Sequence, residues 1–229
     1  MKTRVMIGAM CTLTSASALT STLAHADTTE VETTVAVEKI SVVGAATNLS
    51  ITAEDIEQYQ ASDLADIFRY SPSISVGGSV GVAQKIYIRG LEDAFLNVTV
   101  DGAQQTSTLF HHIGRVTIDP DLLQQIDVQA GAGEATSGPG AIGGSIRFKT
   151  KDAQDMLKPD EQFGGRVKAN YFSNDATRYS ASLYGKLSES WGVLGYYSTI
   201  DRDNIEDGNG NEIYGTAADQ DMAFLKISG

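Results

Sequence analysis

Three segments in the last third of the chain change character at every second residue: Phe163 to Phe172, Arg178 to Leu187 and Trp191 to Asp201. In the second, Tyr179, Ala181, Leu183, Gly185 and Leu187 fall on one face, and Arg178, Ser180, Ser182, Tyr184 and Lys186 on the other. A period of two is that of a β-strand. Each run has the length of about 9 to 11 residues that a strand needs to cross a bilayer, one face to lipid and one to a polar lumen. Trp191, Tyr196 and Tyr197 suit an interfacial aromatic girdle. A soluble meander alternates in the same way, so the pattern alone leaves both readings open.

The connections bear on that choice. Ser188 to Ser190 makes a tight turn, and Arg202 to Gln220 a long polar loop, as on the two sides of an outer-membrane barrel. Ser173 to Thr177 is short for an outer loop. A fourth strand starts near Met222. Three strands and a stub cannot close a barrel, and open sheet edges are not left in lipid. If the barrel reading holds, the 229 residues are expected to be part of a longer chain.

The other end reads as an export signal over residues 1–26. Lys2 and Arg4 precede an apolar, small-residue run, and Ala24-His25-Ala26 supplies a cleavage site. Cys11 lies within it, so the mature protein is expected to have no disulfide, thiolate metal site or cysteine nucleophile. Cleavage removes two of the 17 basic residues and none of the 29 acidic ones, moving the formal charge from −12 to −14. That balance argues against nucleic acid, which is held through basic phosphate contacts.

Residues 27–44 form an acidic, Thr- and Val-rich leader. It ends in Ile40, Ser41, Val42, Val43 and Gly44, a β-branched run suited either to the first strand of the domain or to pairing with a partner's sheet edge. Residues 45–152 read as a compact α+β unit. Thr52 caps a helix through Tyr59, and Ser62 a second through Phe68, ended by Pro72. Strands follow at Ser73 to Val76, Lys85 to Ile88, Leu96 to Val100, Ile126 to Gln129 and Ile142 to Phe148. Residues 153–162 make a polar linker, and residues 163–229 the alternating strands.

The Gly-rich connector between the last two strands of the unit is not a phosphate loop. Gly131-Ala132-Gly133 begins G-x-G-x-x-G, but Thr136 stands at the last glycine, and no Lys follows the later glycines. Small residues packed closely against barrel-wall side chains account better for Gly138, Gly140, Gly143 and Gly144. No Ser-His-Asp set, metal-binding helix or matched carboxylate pair emerges by spacing, so an enzyme is not expected. Asp201, Asp203 and Asp207 are similar to the start of a calcium loop, but Ile205 breaks the alternation.

Three phrases, DLADIFRYSPSISVGG from Asp63, IYIRGLEDAFLNVTVDG from Ile86 and IDPDLLQQIDVQAGAGEATSGPGAIGGSIRFKT from Ile118, resemble in order and spacing the TonB-dependent outer-membrane receptors. The likeness covers about Lys39 to Gly229. It implies an α+β plug domain, a small mixed sheet with short helices, followed by the first strands of an antiparallel transmembrane β-barrel. In such receptors the plug fills a barrel of about 22 strands. It also makes Ile40, Ser41, Val42, Val43 and Gly44 a TonB box, pairing with a periplasmic partner, TonB. Arg89-Gly90 and Asp101-Gly102 become structural landmarks of the plug, the glycines permitting turns and Arg89 pairing with carboxylates within it.

The implied function is import of a scarce iron chelate across the outer membrane, with no permanently bound cofactor. The cargo stays open between haem and a ferric siderophore. His111 and His112 are the only histidines after the signal, and adjacent imidazoles suit iron. Arg115 could meet an anionic cargo, or neutralise Asp119. The phrase TKDAQDML from Thr150 is similar to one in haem-uptake members. The competing reading is a soluble periplasmic or surface ligand-binding module, its late strands an ordinary sheet.

Overall fold

The computed structural model describes residues 48–77, 84–106, 114–131, 137–173 and 175–229. The expected signal peptide, residues 40–44, and both His111 and His112 lie outside the described residues.

The first unit is built on a five-stranded sheet. In spatial order these are β1 (Asn48–Thr52), β7 (Leu123–Ala130), β8 (Gly144–Thr150), β5 (Leu96–Val100) and β6 (Ala103–Gln104). Only β5 and β8 run parallel; the other neighbours are antiparallel. A second sheet joins β2 (Ile74–Gly77), β3 (Lys85–Ile88) and β4 (Leu91–Glu92). Helices α1 (Ala53–Gln58) and α2 (Leu64–Phe68) follow β1.

The expected strands recur with shifted ends, and the reasons are local. In β7 both Leu123 and Ile126 are fully buried although three residues apart. A bulge between Leu123 and Gln125 absorbs the extra residue and returns Ile126 and Val128 to the core face. Ile142, expected inside the next strand, is exposed, and β8 begins only at Gly144. Ile67, Phe68, Ile88, Leu96, Ile126, Ile146 and Phe148 form the core. Burying each contributes about 1.5–3 kcal/mol. Thr52 caps α1 as expected, its hydroxyl accepting the Asp55 amide. The α2 cap is Asp63, not Ser62: Asp63 accepts the Asp66 amide, while the Ser62 amide and hydroxyl donate to the Asp66 carboxylate.

Residues expected to be a plain linker contain the short helix α3 (Ala153–Met156). The second unit is a meander of β9 (Phe163–Phe172), β10 (Ala176–Lys186), β11 (Gly192–Arg202) and β14 (Ala218–Ser228), each antiparallel to the next. The last strand starts four residues before Met222, because pairing with β11 extends to Ala218 opposite Arg202. The long connection folds on itself as β12 (Ile205–Glu206) and β13 (Glu212–Ile213).

This meander is turned inside out for water. Val167, Leu183 and Leu225 are 73–82% exposed on its outer face, while Ser180, Ser182, Ser198 and Arg178 are buried beneath the first unit. A sheet solvated on one face buries its apolar side. The reverse arrangement fits lipid outside and a polar lumen within.

Candidate functional site at the seam between plug and wall

The register of β9, β10, β11 and β14 stacks their inward side chains in rows, and each row carries one cation. From one end, Lys186 stands level with Gly192 and Ser228, and Lys226 with Leu194, Tyr184 and Gly164. Arg166 is level with Ser182 and Tyr196, Lys168 with Ser180 and Ser198, Arg178 with Asn170 and Ile200, and Arg202 with Ala176 and Phe172. No carboxylate points inward from these strands; Asp201, Asp219 and Asp221 all lie on the outward registers. In a chain with 29 acidic residues, that segregation is pronounced.

The first unit answers with acids. Lys168 meets Asp121 at 2.5 Å, and Arg166 meets Glu57 at 3.3 Å. Arg178 lies 3.5 Å from Asp119, with both side chains almost wholly buried. It also donates to the Ser62 carbonyl at 3.0 Å, and its guanidinium stands 5.7 Å from the Phe172 ring centre. Asp119 accepts the Tyr196 hydroxyl at 2.6 Å and the Asp121 amide at 3.0 Å, which caps a 3₁₀ turn, Pro120–Leu122. Leu122 packs beside that turn against Leu194 and Tyr196.

Lys226 is the second anchor. Its ammonium lies 2.9 Å from the Thr150 hydroxyl, 3.2 Å from the Thr150 carbonyl and 3.3 Å from Asp101. It also forms an ion pair with Asp152 at 2.8 Å. Asp101 in turn accepts the Thr150 amide and hydroxyl at 2.8 and 2.5 Å. In every cross-seam pair the acid belongs to the first unit and the cation to the meander.

Beside these pairs runs an open crevice of about 510 Å³, bordered by Lys151, Arg166, Lys168 and Arg178. Lys151 donates to the Asp121 carbonyl at 3.0 Å. Burial pushes its ammonium below the usual lysine range, against the attraction of Asp121 and with the repulsion of Arg166 and Lys168. Asp121 Oδ2, Asn170 Oδ1 and Arg178 Nε, buried along the same crevice, have no hydrogen-bond partner.

The residues singled out from sequence fall into distinct places. Arg89 and Gly90 (φ +50° and +83°) join β3 to β4, and Asp101 and Gly102 (φ +48° and +82°) join β5 to β6. Two successive positive φ values make turns whose twist suits hairpins, and glycine at the second position takes them without strain. Asp101 does more than turn the chain, since it holds Thr150 and Lys226. Arg89 forms none of the ion pairs found among the described residues, contrary to expectation; its guanidinium sits beside Gly131.

Arg115 forms none of the ion pairs found among the described residues, with Asp119 or any other acid. Its guanidinium donates to the carbonyls of Ala94, Leu96 and Gln105, clamping those segments together. The close packing at the glycines comes from the unit itself rather than from wall side chains. A Cβ at Gly138 would strike Asn97, one at Gly143 Leu91 and Leu96, and one at Gly144 the Gln129 carbonyl. Gly140 has open space around it and a φ of +78°. The seam residues Asp119, Asp121, Asp152, Lys168 and Lys226 were not among the sequence candidates. The alternation that puts Lys168 and Arg178 on the polar face was the available signal.

Residues 37–145 match the family model of the TonB-dependent Receptor Plug Domain. The heme transporter BhuA of Brucella suis is 38% identical over 167 residues, covering 72% of this chain and 25% of that protein. The FrpB iron transporter of Neisseria meningitidis (F3-3 variant) superposes with a TM-score of 0.70 at 31% identity, over 80% of this chain and 29% of that one. The hemophore receptor HasR of Serratia marcescens, solved with its hemophore HasA and heme, gives 0.67 at 25% identity, over 79% and 28%. The chain thus spans about a quarter of the length of the curated relatives it matches. A plug fold seated on the polar inner face of barrel strands, in a sequence that matches the plug model and these transporters, places the chain in the TonB-dependent receptor family.

Proposed function

We propose that this receptor imports haem across the Gram-negative outer membrane by energised rearrangement of its plug. The observation that carries the reading is the meander's inverted surface, apolar outward and polar beneath the plug. It suits a lipid-embedded wall and counts against a soluble binding module. The cargo follows from the likeness to a heme transporter and to a receptor solved with heme. His111 and His112 are the candidate iron ligands, and Ile40, Ser41, Val42, Val43 and Gly44 the segment that TonB grips from the periplasm.

No bond is made or broken in this cycle. Cargo and TonB must each favour one plug arrangement through contacts absent from the other. The test is haem uptake by cells in which this receptor is the sole haem importer. Deleting residues 40–44 is expected to leave surface binding of haem intact and to abolish uptake. Uptake surviving the deletion would refute the mechanism. Uptake of ferric siderophores in place of haem would reassign the cargo.

A further inference from the structure

The ion pairs at the seam hold the plug, but they do not explain the whole arrangement of the wall. Every lysine and arginine of β9, β10, β11 and β14 points inward, one per row, over six successive rows, with no inward acid among them. Rows two residues apart along a strand are separated by about 7 Å. Anchoring alone would be served by cations opposite the plug's acids and nowhere else. Yet the ladder continues past the pairs at both ends. Arg202 lies where β11 enters the long loop, and Lys186 just before the tight Ser188–Ser190 turn. Neither forms an ion pair among the described residues.

The row neighbours support a passage. Arg166 and Lys168 stand opposite the short side chains of Ser182 and Ser180, which add no bulk beside the cations. The crevice of about 510 Å³ already borders Arg166, Lys168 and Arg178 with the plug in place. Carboxylates of the plug occupy these cations in the resting arrangement, so they are the positions that fall vacant when the plug shifts. Leaving them bare would cost the full desolvation of unpaired charges wherever water is scarce.

We infer that Lys186, Lys226, Arg166, Lys168, Arg178 and Arg202 form a cation ladder that passes a carboxylate-bearing cargo along the wall, taking its anionic groups as the plug's carboxylates leave. The ladder rests on the import reading above and specifies what that reading leaves open: the chemistry recognised during passage, rather than at the outer binding site. The exchange is of ion pairs alone. A carboxylate of the cargo replaces Asp119, Asp121 or Glu57 on a wall cation, and the plug's acid returns when the cargo has gone.

The experiment compares uptake of haem with uptake of haem dimethyl ester, whose two carboxylates are masked, by cells expressing the receptor from its own gene. One variant combines Lys168→Glu with Asp121→Lys, which keeps a seam pair but reverses the sign of one rung. The other combines Arg202→Gln with Lys186→Gln, which touches no cross-seam pair. The ladder predicts that each lowers haem uptake at least tenfold, leaves haem binding at the cell surface within about twofold, and leaves ester uptake unchanged. Equal loss of haem and ester uptake, or no loss of either in both variants, overturns the ladder while wild-type haem uptake still stands. Absence of haem uptake by the wild-type receptor overturns the import reading and the ladder with it.

Discussion

Lys226 and Asp152 stand 2.8 Å apart, one near the end of the last wall strand and the other where the plug's sheet gives way to the chain leading into the wall. The same ammonium reaches Thr150 and Asp101, so one side chain ties the end of β8, the turn after β5 and the start of α3 to the barrel. These are the points where the plug's sheet hands the chain to the wall.

Replacing Lys226 with methionine is expected to destabilise the plug by about 1.5–3 kcal/mol at neutral pH, the range for losing hydrogen bonds to a charged group. The pH dependence identifies the cause. Burial raises the Asp152 carboxyl, but the Lys226 ammonium and the Ser228 hydroxyl beside it outweigh burial and hold it below its ordinary value of 3.8. A carboxyl depressed on folding gives stability that is complete above its unfolded value and is lost as pH falls through the lower folded one. Calorimetry of the purified receptor should therefore show the Lys226→Met deficit shrinking in acid. A deficit independent of pH would mean that packing of the lysine stem, not its charge, holds the seam.

Gly144 and Gly140 separate two reasons for glycine in one loop. Gly144 has φ +131°, and a Cβ there would lie 2.2 Å from the Gln129 carbonyl, inside the β7–β8 pairing. Gly144→Ala should cost about 1–3 kcal/mol in backbone strain and more from the clash. Gly140→Ala, at φ +78° with open space around it, should cost only about 1–2 kcal/mol. Thermal unfolding of the two variants ranks them; the opposite order would mean that the loop, rather than the strand pairing, sets plug stability.

The contrast between these glycines also shows what was legible in the chain. Alternation located three of the meander's four strands and assigned Tyr179 and Leu183 to one face and Arg178 and Ser180 to the other, because a period of two needs no partner to be read. It could not say which face was buried, since water and lipid give opposite answers. That came from the plug, which covers the polar side. The same limit applies to Asp101: a turn before Gly102 is a local property, while its hold on Lys226 depends on packing between distant parts of the chain. Arg115 meets the same limit. A lone arginine in a polar loop suggests a ligand, whereas its two terminal nitrogens donate to three carbonyls of its own fold, a packing role that no local pattern announces.

The Arg178–Asp119 pair should behave as a buried bridge. Truncating one member leaves the other charged and dry, which costs about 3–5 kcal/mol, whereas exposed pairs contribute about 0–1. Arg178→Met is therefore expected to be several-fold more damaging than Arg166→Met, because the Arg166–Glu57 pair is largely exposed. A double-mutant cycle with Asp119→Asn should return a coupling above about 1 kcal/mol. The Tyr196 hydroxyl, bonded to the same carboxylate, would remain as a partner for the amide. Additive losses would show that Arg178 acts through Ser62 and Phe172 alone.

The inverted wall makes a last prediction that separates lipid from water without any transport assay. Leu183 is 74% exposed and shares the outer face of β10 with Tyr179 and Ala181, while its neighbour Ser182 is buried against the plug side. On a soluble sheet Leu183→Arg would be a harmless or favourable surface change. On a wall strand it places a cation in hydrocarbon, at about 2–4 kcal/mol near the bilayer midplane. Folding yield into lipid vesicles, read from the mobility shift between folded and heat-denatured receptor, should fall for Leu183→Arg. It should hold for Lys186→Arg, which keeps the same charge on the inward face. Equal yields for the two variants would place the outer face of the meander in water and undo the barrel reading from which the seam takes its meaning.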